Sequence, residues 1–238
     1  MNATSPLNYT VIINPDSGPG NGSKPNDDFL PAIQRLNTYP NARTVGYVPT
    51  NYGKRPIDEV IQDVSTYSGW ATNATGIAMH GIFFDEAPHE YSADVADYMR
   101  RANDAVLSAS GIQGNKTVCR LMKPFCVMGA VANSLIQIIH NPGTIPDQGL
   151  GLNSTDITVV FEQSYNKFKS QQSALSDLSG ARSSYSYMVH SVPSSTNLGD
   201  LIDMMSQHAQ YLFVTNRDSA YYEGFGSDWR DFVSMVPT

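Results

Sequence analysis

Cysteine and histidine, the usual ligands of structural zinc, are scarce in this chain. Its 238 residues include two cysteines and five histidines, and no cluster of them has the spacing of a zinc site. We therefore expect no metal site. No glycine-rich phosphate fingerprint follows the first strand-like segment, so we expect no nucleotide cofactor either. The two cysteines, Cys119 and Cys126, are predicted to form a local disulfide in an oxidising compartment, and the alternative is a pair of buried thiols.

Positive charge and long apolar runs are also in short supply. Lys and Arg total 15 against 22 Asp and Glu, which gives a net charge of −7, and no basic cluster occurs. This composition argues against nucleic acid as a partner. No run reaches the roughly 18 apolar residues that cross a bilayer, and no signal-peptide pattern opens the chain. We expect membrane contact only through a segment absent from this chain.

What the chain does contain is a set of Asn-x-Ser/Thr sequons. Six occur, all without proline in the middle position: Asn2, Asn8, Asn21, Asn73, Asn115 and Asn153. Six are more than chance supplies in a chain of this composition, so we expect N-glycosylation. The protein is accordingly predicted to be secreted or on the cell surface, and we expect a monomer.

Strand-like and helix-like segments alternate along the chain. Strand patterns cover residues 9–13, 44–49, 76–84, 156–162, 185–190 and 211–215, and helical patterns cover 27–36, 56–67, 92–108 and a segment beginning near Asn197. Repeated βα units without a linker predict one parallel sheet. We favour an α/β fold with a single (β/α)8 TIM-type barrel over residues 1–238, and an open doubly wound sheet is the alternative.

Two strands of this barrel are harder to assign. The fourth is either residues 125–131 or residues 137–140. For the eighth we select residues 232–236, because the surrounding segment has weak patterning.

The most informative stretch is Gly-Ile-Phe-Phe-Asp-Glu-Ala-Pro at residues 81–88. It is typical of a strand buried on both faces that ends in two carboxylates, Asp85 and Glu86, and is stopped by proline. Functional residues of parallel α/β folds sit at the carboxyl ends of strands. Glu162 ends another apolar strand, where a carboxylate without a role would be costly. These three acids are the candidate catalytic residues.

Other polar side chains follow the remaining strands and are candidate substrate contacts. They are Asn14, Asp16, Tyr47, His80, Asn141, His190 and Asn216. Carboxylates, amides and aromatic rings together suit a hydroxyl-rich ligand. His80 lies inside an apolar strand, where a hydrogen-bonded core histidine is the more common outcome. Tyr221, Tyr222 and Trp229 are the best candidates for sugar-stacking platforms. Glycoside hydrolysis needs two carboxyls, and Glu162 with Asp85 or Glu86 would supply them.

These motifs also resemble those of a known family. Asn-Pro-x-Ser-Gly-Pro-Gly at 14–20, Gly-Ile-Phe-Phe-Asp-Glu at 81–86, His-Asn-Pro-Gly at 140–143 and Val-Phe-Glu at 160–162 resemble, in this order, the spherulin-4 (spherulation-specific) family. The resemblance implies a (β/α)8 fold and an endo-acting glycoside hydrolase of fungal or microbial cell surfaces. The implied substrate is α-1,4-linked N-acetylgalactosamine in galactosaminogalactan, a biofilm polysaccharide, and Asp85, Glu86 and Glu162 match the family's essential acids.

Two other functions remain open on the sequence alone. A non-catalytic carbohydrate-binding or cell-wall protein would use the same barrel but would have no need of three acids. A polysaccharide deacetylase usually needs a metal, and the five histidines show no i, i+4 pair. The hydrolase is therefore the preferred hypothesis.

Overall fold

A computed structural model of the chain describes residues 7–114, 136–150 and 155–237. Strands and helices alternate through these ranges. The strands are β1 (Tyr9–Ile13), β2 (Ala42–Pro49), β3 (Gly81–Asp85), β4 (Gln137–His140), β5 (Ile157–Ser164), β6 (Tyr185–His190) and β7 (Tyr211–Val214). The α-helices are α1 (Leu30–Leu36), α2 (Ile57–Asn73), α3 (Ala93–Ser108), α4 (Tyr165–Ser176), α5 (Leu198–Ser206) and α6 (Trp229–Met235).

The strands form one seven-stranded sheet in chain order, from β1 to β7. The pairs β1–β2, β2–β3, β5–β6 and β6–β7 are parallel. Neighbouring parallel strands need a crossover connection, which helices supply here. The predicted α/β class with a parallel sheet is confirmed, but among the described residues the sheet has seven strands, so a closed eight-stranded barrel is not seen.

The prediction of an eighth strand at residues 232–236 is wrong. These residues belong to α6 or follow it directly. The apolar residues Trp229, Phe232, Val233 and Val236 recur at helical spacing, and all four join the hydrophobic core of β5, β6 and β7. A short apolar run satisfies either period, so the packing partner decides the element.

Helices α2 and α3 show why the helical predictions hold. In α2 the residues Val60, Val64, Tyr67 and Trp70 are buried at intervals of three or four, which is one face of a helix. In α3 the side chain of Ser92 accepts a hydrogen bond from the backbone N–H of Val95. Ser92 is thus the N-cap of α3, and it satisfies one of the donors that a helix start leaves unpaired.

The packing of the described chain divides into two compact units. The first contains the described residues up to Asp85 and those from Ser92 to Ile139, and the second contains Glu86–Tyr91 and the described residues from His140 onwards. The second has its own core, in which Phe161, Phe168 and Tyr187 pack edge to face. The prediction of one domain over residues 1–238 is not tested by this division and stays a prediction.

Some of the remaining predictions concern residues that the structure describes, and others concern residues outside the described ranges. The fourth strand is Gln137–His140, while the alternative at 125–131 lies outside the described residues, as do Cys119, Cys126 and the sequons at Asn2, Asn115 and Asn153. The other three sequon asparagines, Asn8, Asn21 and Asn73, are exposed. No helix within the described ranges has the length and apolar character needed to cross a membrane.

Candidate active site

Backbone strain in the described chain concentrates after the carboxyl ends of strands. Six residues other than glycine have a φ between +46° and +57°: Ser17, Asn51, Tyr52, Glu86, Ser191 and Ala220. They follow β1, β2, β3, β6 and β7. Such conformations cost about 1–3 kcal/mol each and cluster at functional sites. Parallel α/β folds bind their ligands at this same end of the strands.

Asp85 is held by Tyr47 on the neighbouring strand. The register pairs Tyr47 with Phe83 and Pro49 with Asp85, so Tyr47 shares a face with both Phe83 and Asp85. Its ring stacks on Phe83 with centroids 6.3 Å apart, and its hydroxyl donates to Asp85 Oδ2 at 2.7 Å. The tyrosine side chain spans the roughly 6.6 Å that separates alternate residues of a strand. Tyr47, a predicted substrate contact, therefore also positions a predicted catalytic acid.

Glu86 takes up a left-handed backbone conformation between two anchored neighbours, with a φ of +49°. Before it, the Asp85 carbonyl accepts hydrogen bonds from the backbone N–H of buried Thr50 at 2.9 Å and from its hydroxyl at 3.1 Å. After it, the Ala87 N–H donates to the Asn141 carbonyl at 2.9 Å. A strained conformation persists only when its surroundings fix it in this way. The backbone that carries the two adjacent acids, Asp85 and Glu86, is thus held in one conformation.

A β-bulge precedes Glu162. Across β5 and β6 the register runs Val159 to Ser186 and then Phe161 to Tyr187, so Val160 is the extra residue. A bulge inserts one residue and re-aims the side chains that follow it. Glu162 consequently pairs with Met188. A continuous apolar run gives no sign of a bulge, and the sequence analysis did not predict one.

Both carboxylate oxygens of Glu162 accept hydrogen bonds from other side chains. The Asn141 amide Nδ2 donates to Oε2, and the Tyr222 hydroxyl donates to Oε1 at 2.7 Å. Nδ2 of an amide can only donate, so Oε2 acts as an acceptor. One donor at each oxygen therefore fixes the orientation of the Glu162 side chain.

The His-Asn-Pro-Gly motif forms the turn that carries Asn141. Proline followed by Gly143 at a φ of +66° is typical of a type II turn. The Gly143 N–H donates to Asn141 Oδ1 at 3.0 Å, and the Gly143 carbonyl accepts from the Glu162 N–H at 3.1 Å. The turn thus contacts Glu162 through both backbone and side chain. Asn141 is buried and its amide donates to Glu162; its predicted contact with substrate stays a prediction.

His190 ends β6 and stacks on an aromatic residue of the β7–α6 loop, residues 215–228. Its ring lies flat against Tyr221, with centroids 4.4 Å apart and an interplanar angle of 7°. Its Nδ1 is 2.8 Å from the Ser191 hydroxyl. Burial lowers the pKa of His190, and the negative charge of Asp218 acts in the opposite direction. Neighbouring Tyr222, which reaches Glu162, packs edge to face on Tyr221 at 4.5 Å.

Asn216 closes the β7–α6 loop. Its backbone N–H donates to Asp228 Oδ2 at 2.9 Å, and its side-chain Nδ2 donates to the Ser227 hydroxyl at 2.9 Å. Both bonds join the beginning of the loop to its end. Asn216 was predicted as a substrate contact; the structure shows its amide holding the loop that carries Tyr221 and Tyr222.

Asn14 and Asp16 are exposed in the loop after β1. Asn14 Oδ1 accepts from the Gly18 N–H at 2.9 Å, and the Asp16 N–H donates to the Gly18 carbonyl at 3.2 Å. Asn14 therefore shapes this loop. The loop follows a strand end, where substrate contacts were predicted, and that role stays a prediction for both residues.

His80 lies at the amino end of β3, the opposite end from Asp85. Its Nδ1 accepts from the Thr44 N–H at 3.3 Å, which fits the core-histidine reading. Five residue steps of extended chain separate it from Asp85, a distance of about 16 Å. The structure therefore does not bring His80 together with Tyr47 and Asp85, and we leave it out of the proposed site. No group of three or more His, Cys, Asp or Glu in the described ranges is arranged to hold a metal ion.

The comparisons with known proteins bear on this site. A model of the spherulation-specific family 4 (Spherulin4) matches residues 1–236. The chain is also 31% identical over 222 residues to Spherulin-4 of Physarum polycephalum, which covers 90% of this chain. The chain belongs to the spherulation-specific family 4. The family expected from the four motifs is thereby confirmed, although the chain spans only 57% of the length of that curated relative.

A solved structure also resembles this family member closely. The crystal structure of Aspergillus clavatus Sph3 in complex with GalNAc matches with a TM-score of 0.84 and 36% sequence identity. The match covers 96% of this chain and 85% of the Sph3 chain. Agreement at this level supports the α/β fold with its sheet in chain order.

Proposed function

We propose that this protein is a glycoside hydrolase that cleaves internal α-1,4-linked N-acetylgalactosamine bonds in a galactosaminogalactan-type polysaccharide. The observation that carries the proposal is the set of contacts of Glu162. It lies near the carboxyl end of β5, and Asn141 and Tyr222 each donate to one of its carboxylate oxygens. The chain is 36% identical to Sph3, whose crystal structure contains GalNAc.

The proposed reaction requires two acids with different roles. Glycoside hydrolysis uses one carboxyl to protonate the leaving oxygen and a second as nucleophile or base. We assign Glu162 to this pair together with Asp85 or Glu86, and the remaining acid orients its neighbour. In support, Asp85 is fixed by Tyr47 and Glu86 by its anchored left-handed backbone. Catalysis depends on groups held in place before the substrate arrives.

A purely binding role explains these features less well. A sugar-binding protein needs hydroxyl contacts and rings, and Asn141 and Tyr222 would serve best with their donors directed to the ligand. Here both donors are directed to a carboxylate. Their use as supports for Glu162 favours hydrolysis over the non-catalytic carbohydrate-binding or wall protein.

We also propose that the protein acts outside the cell, as a secreted or surface glycoprotein. Asn8, Asn21 and Asn73 are exposed sequon asparagines, so each is open to glycosylation on the folded surface. Treating protein from a eukaryotic secretory host with an endoglycosidase would shift its mass if these sites carry glycans. An unchanged mass would contradict this part of the proposal.

The proposed substrate is tested by a panel of polysaccharides. Purified galactosaminogalactan, its fully deacetylated form and chitin would be incubated with the protein, and soluble products identified by mass spectrometry. We expect N-acetylhexosamine oligomers of several lengths from the first substrate, since internal cleavage releases mixed lengths. No products from a folded protein would contradict the proposed activity, while products from chitin alone would contradict the linkage.

A further inference from the structure

The β7–α6 loop carries the most exposed large hydrophobic side chain of the described chain. Phe225 is 68% exposed, yet its ring is not loose. It stacks on Trp229 with centroids 4.3 Å apart and an interplanar angle of 26°. Trp229 is backed by buried Phe232 at 5.5 Å. One ring of this pair is therefore fixed in the core, and the other lies on it in solvent.

The Phe225–Trp229 pair is continuous with the candidate active site. Trp229 contacts Phe213 at 6.5 Å, and Phe213 contacts Tyr222 at 5.6 Å. Tyr222 donates to Glu162. Three successive ring contacts thus connect Tyr222, the partner of Glu162, to Phe225. All of these residues belong to the second unit.

The loop that presents Phe225 is held at several points. Asn216 bonds to both Ser227 and Asp228, and the Ser191 N–H donates to the Arg217 carbonyl at 2.8 Å. At Gly226 an added Cβ would lie 2.4 to 2.6 Å from the side-chain oxygens of Asp228, Asn216 and Thr215. Only glycine allows this close approach. A surface fixed before binding loses little entropy when a ligand arrives.

We infer that Phe225 and Trp229 form a carbohydrate subsite that binds a sugar unit of the polymer away from the bond being cleaved. The inference rests on the proposed function. In a 1,4-linked galacto-configured pyranose the axial O4 carries the glycosidic bond, and the C–H groups at C3, C4 and C5 form an apolar patch. This patch packs on an aromatic ring, while the hydroxyls stay in water. Fixed aromatic rings give large contact area at a small entropic loss. The occupant is the substrate chain, because the ring path leads to Glu162.

The test compares oligomers of α-1,4-linked N-acetylgalactosamine of increasing length. KM and kcat would be measured for the parent protein and for Phe225→Ala, with equilibrium binding of the same oligomers measured by calorimetry. Phe225→Tyr keeps the ring as a conservative rescue. Met235→Ala removes another exposed apolar side chain from the far end of α6, as a matched control.

For Phe225→Ala we expect KM and the dissociation constant for long oligomers to rise about five- to tenfold, as for loss of a binding anchor. kcat and the kinetics on the shortest cleaved oligomer should stay unchanged. Phe225→Tyr and Met235→Ala should behave as the parent. Equal effects at all lengths, or none, would overturn the subsite. A parent protein that self-associates, and becomes monomeric on Phe225→Ala, would also overturn it. If the parent binds long oligomers through Phe225 but cleaves nothing, the subsite stands and the hydrolase proposal fails.

Discussion

Tyr222 donates a 2.7 Å hydrogen bond to Glu162 across 60 residues of sequence. Tyr222 lies in a loop and is 55% exposed, yet its hydroxyl meets a carboxylate at the end of a buried strand. An exposed tyrosine gains little stability from such a contact. We interpret Tyr222 as a support for the Glu162 carboxylate, because Asn141 donates to its other oxygen in the same way.

Removing the Tyr222 hydroxyl tests this relationship. In Tyr222→Phe the ring contacts stay and Glu162 loses one donor. A hydrogen bond to a charged group contributes about 1.5–3 kcal/mol, so kcat should fall at least roughly tenfold, with a smaller change in KM. Steady-state kinetics on galactosaminogalactan provide the measurement. Tyr91→Phe, another exposed tyrosine, is the control, and equal kcat values for the two variants would remove Tyr222 from the site.

Asn141→Asp exchanges a donor for an acceptor at the other oxygen of Glu162. The aspartate can still accept from the Gly143 N–H, so the turn should persist. Two carboxylates then face each other, and one must take up a proton or move. We expect kcat/KM to fall about 100-fold with a small change in Tm. Asn166→Asp, an exposed site on α4, introduces the same charge, and an equal loss of activity there would point to net charge instead.

Tyr47→Phe tests the positioning of Asp85. The stack on Phe83 remains, and the 2.7 Å bond to Asp85 is lost. We expect about a tenfold fall in kcat, with Tm within a few degrees of the parent. The matched control is Tyr39→Phe, which deletes a hydroxyl from the same unit. Full activity in Tyr47→Phe would show that Asp85 needs no such support.

His80 should make the free energy of unfolding depend on pH without affecting catalysis. Burial lowers its pKa below the ordinary 6.5, and the charge of Arg43 lowers it further. Between the folded and unfolded pKa values the unfolded chain binds more protons, so the free energy of unfolding falls as pH drops below about 6.5. The contribution is fully present above that pH. Its slope cannot exceed about 1.4 kcal/mol per pH unit for one group.

His80→Asn keeps an acceptor for the Thr44 N–H and does not titrate. Denaturant unfolding at pH 7.5 and pH 5.5 should show a smaller loss of stability in the variant than in the parent. The kcat of the variant should match the parent at pH 7.5. A matching pH dependence of stability in both proteins would contradict the account, and a large fall in kcat would return His80 to the candidate site.

Local patterns were sufficient for most of the fold. Helices such as α2 and α3 are set by apolar spacing close in sequence, so the sequence analysis placed them correctly, whereas the strand predicted at 76–84 is β3 at Gly81–Asp85 and begins five residues later. Residues 232–236 are different, because their apolar run fits a strand or a helix. The packing of Trp229 and Phe232 against the core of the second unit favours the helix.

The candidate site was predictable in its acids and less so in their supports. Asp85, Glu86 and Glu162 stand where apolar strands end, which a sequence shows directly. The bulge at Val160 and the contacts of Tyr222 and Asn216 depend on loops folding back over distant strands. The sequence analysis predicted a substrate contact for Asn216 and did not predict the hydrogen bonds by which it closes its own loop.

The most direct test of the central claim separates cleavage from binding at Glu162. Glu162→Gln keeps the size of the side chain and removes its charge, and Glu223→Gln makes the same change at an exposed position of the β7–α6 loop. Product release from galactosaminogalactan and calorimetric binding of N-acetylgalactosamine oligomers would be measured for both. The account predicts that Glu162→Gln loses cleavage by at least about a thousandfold and still binds, while Glu223→Gln retains both. Cleavage by Glu162→Gln at the parent's rate would contradict it.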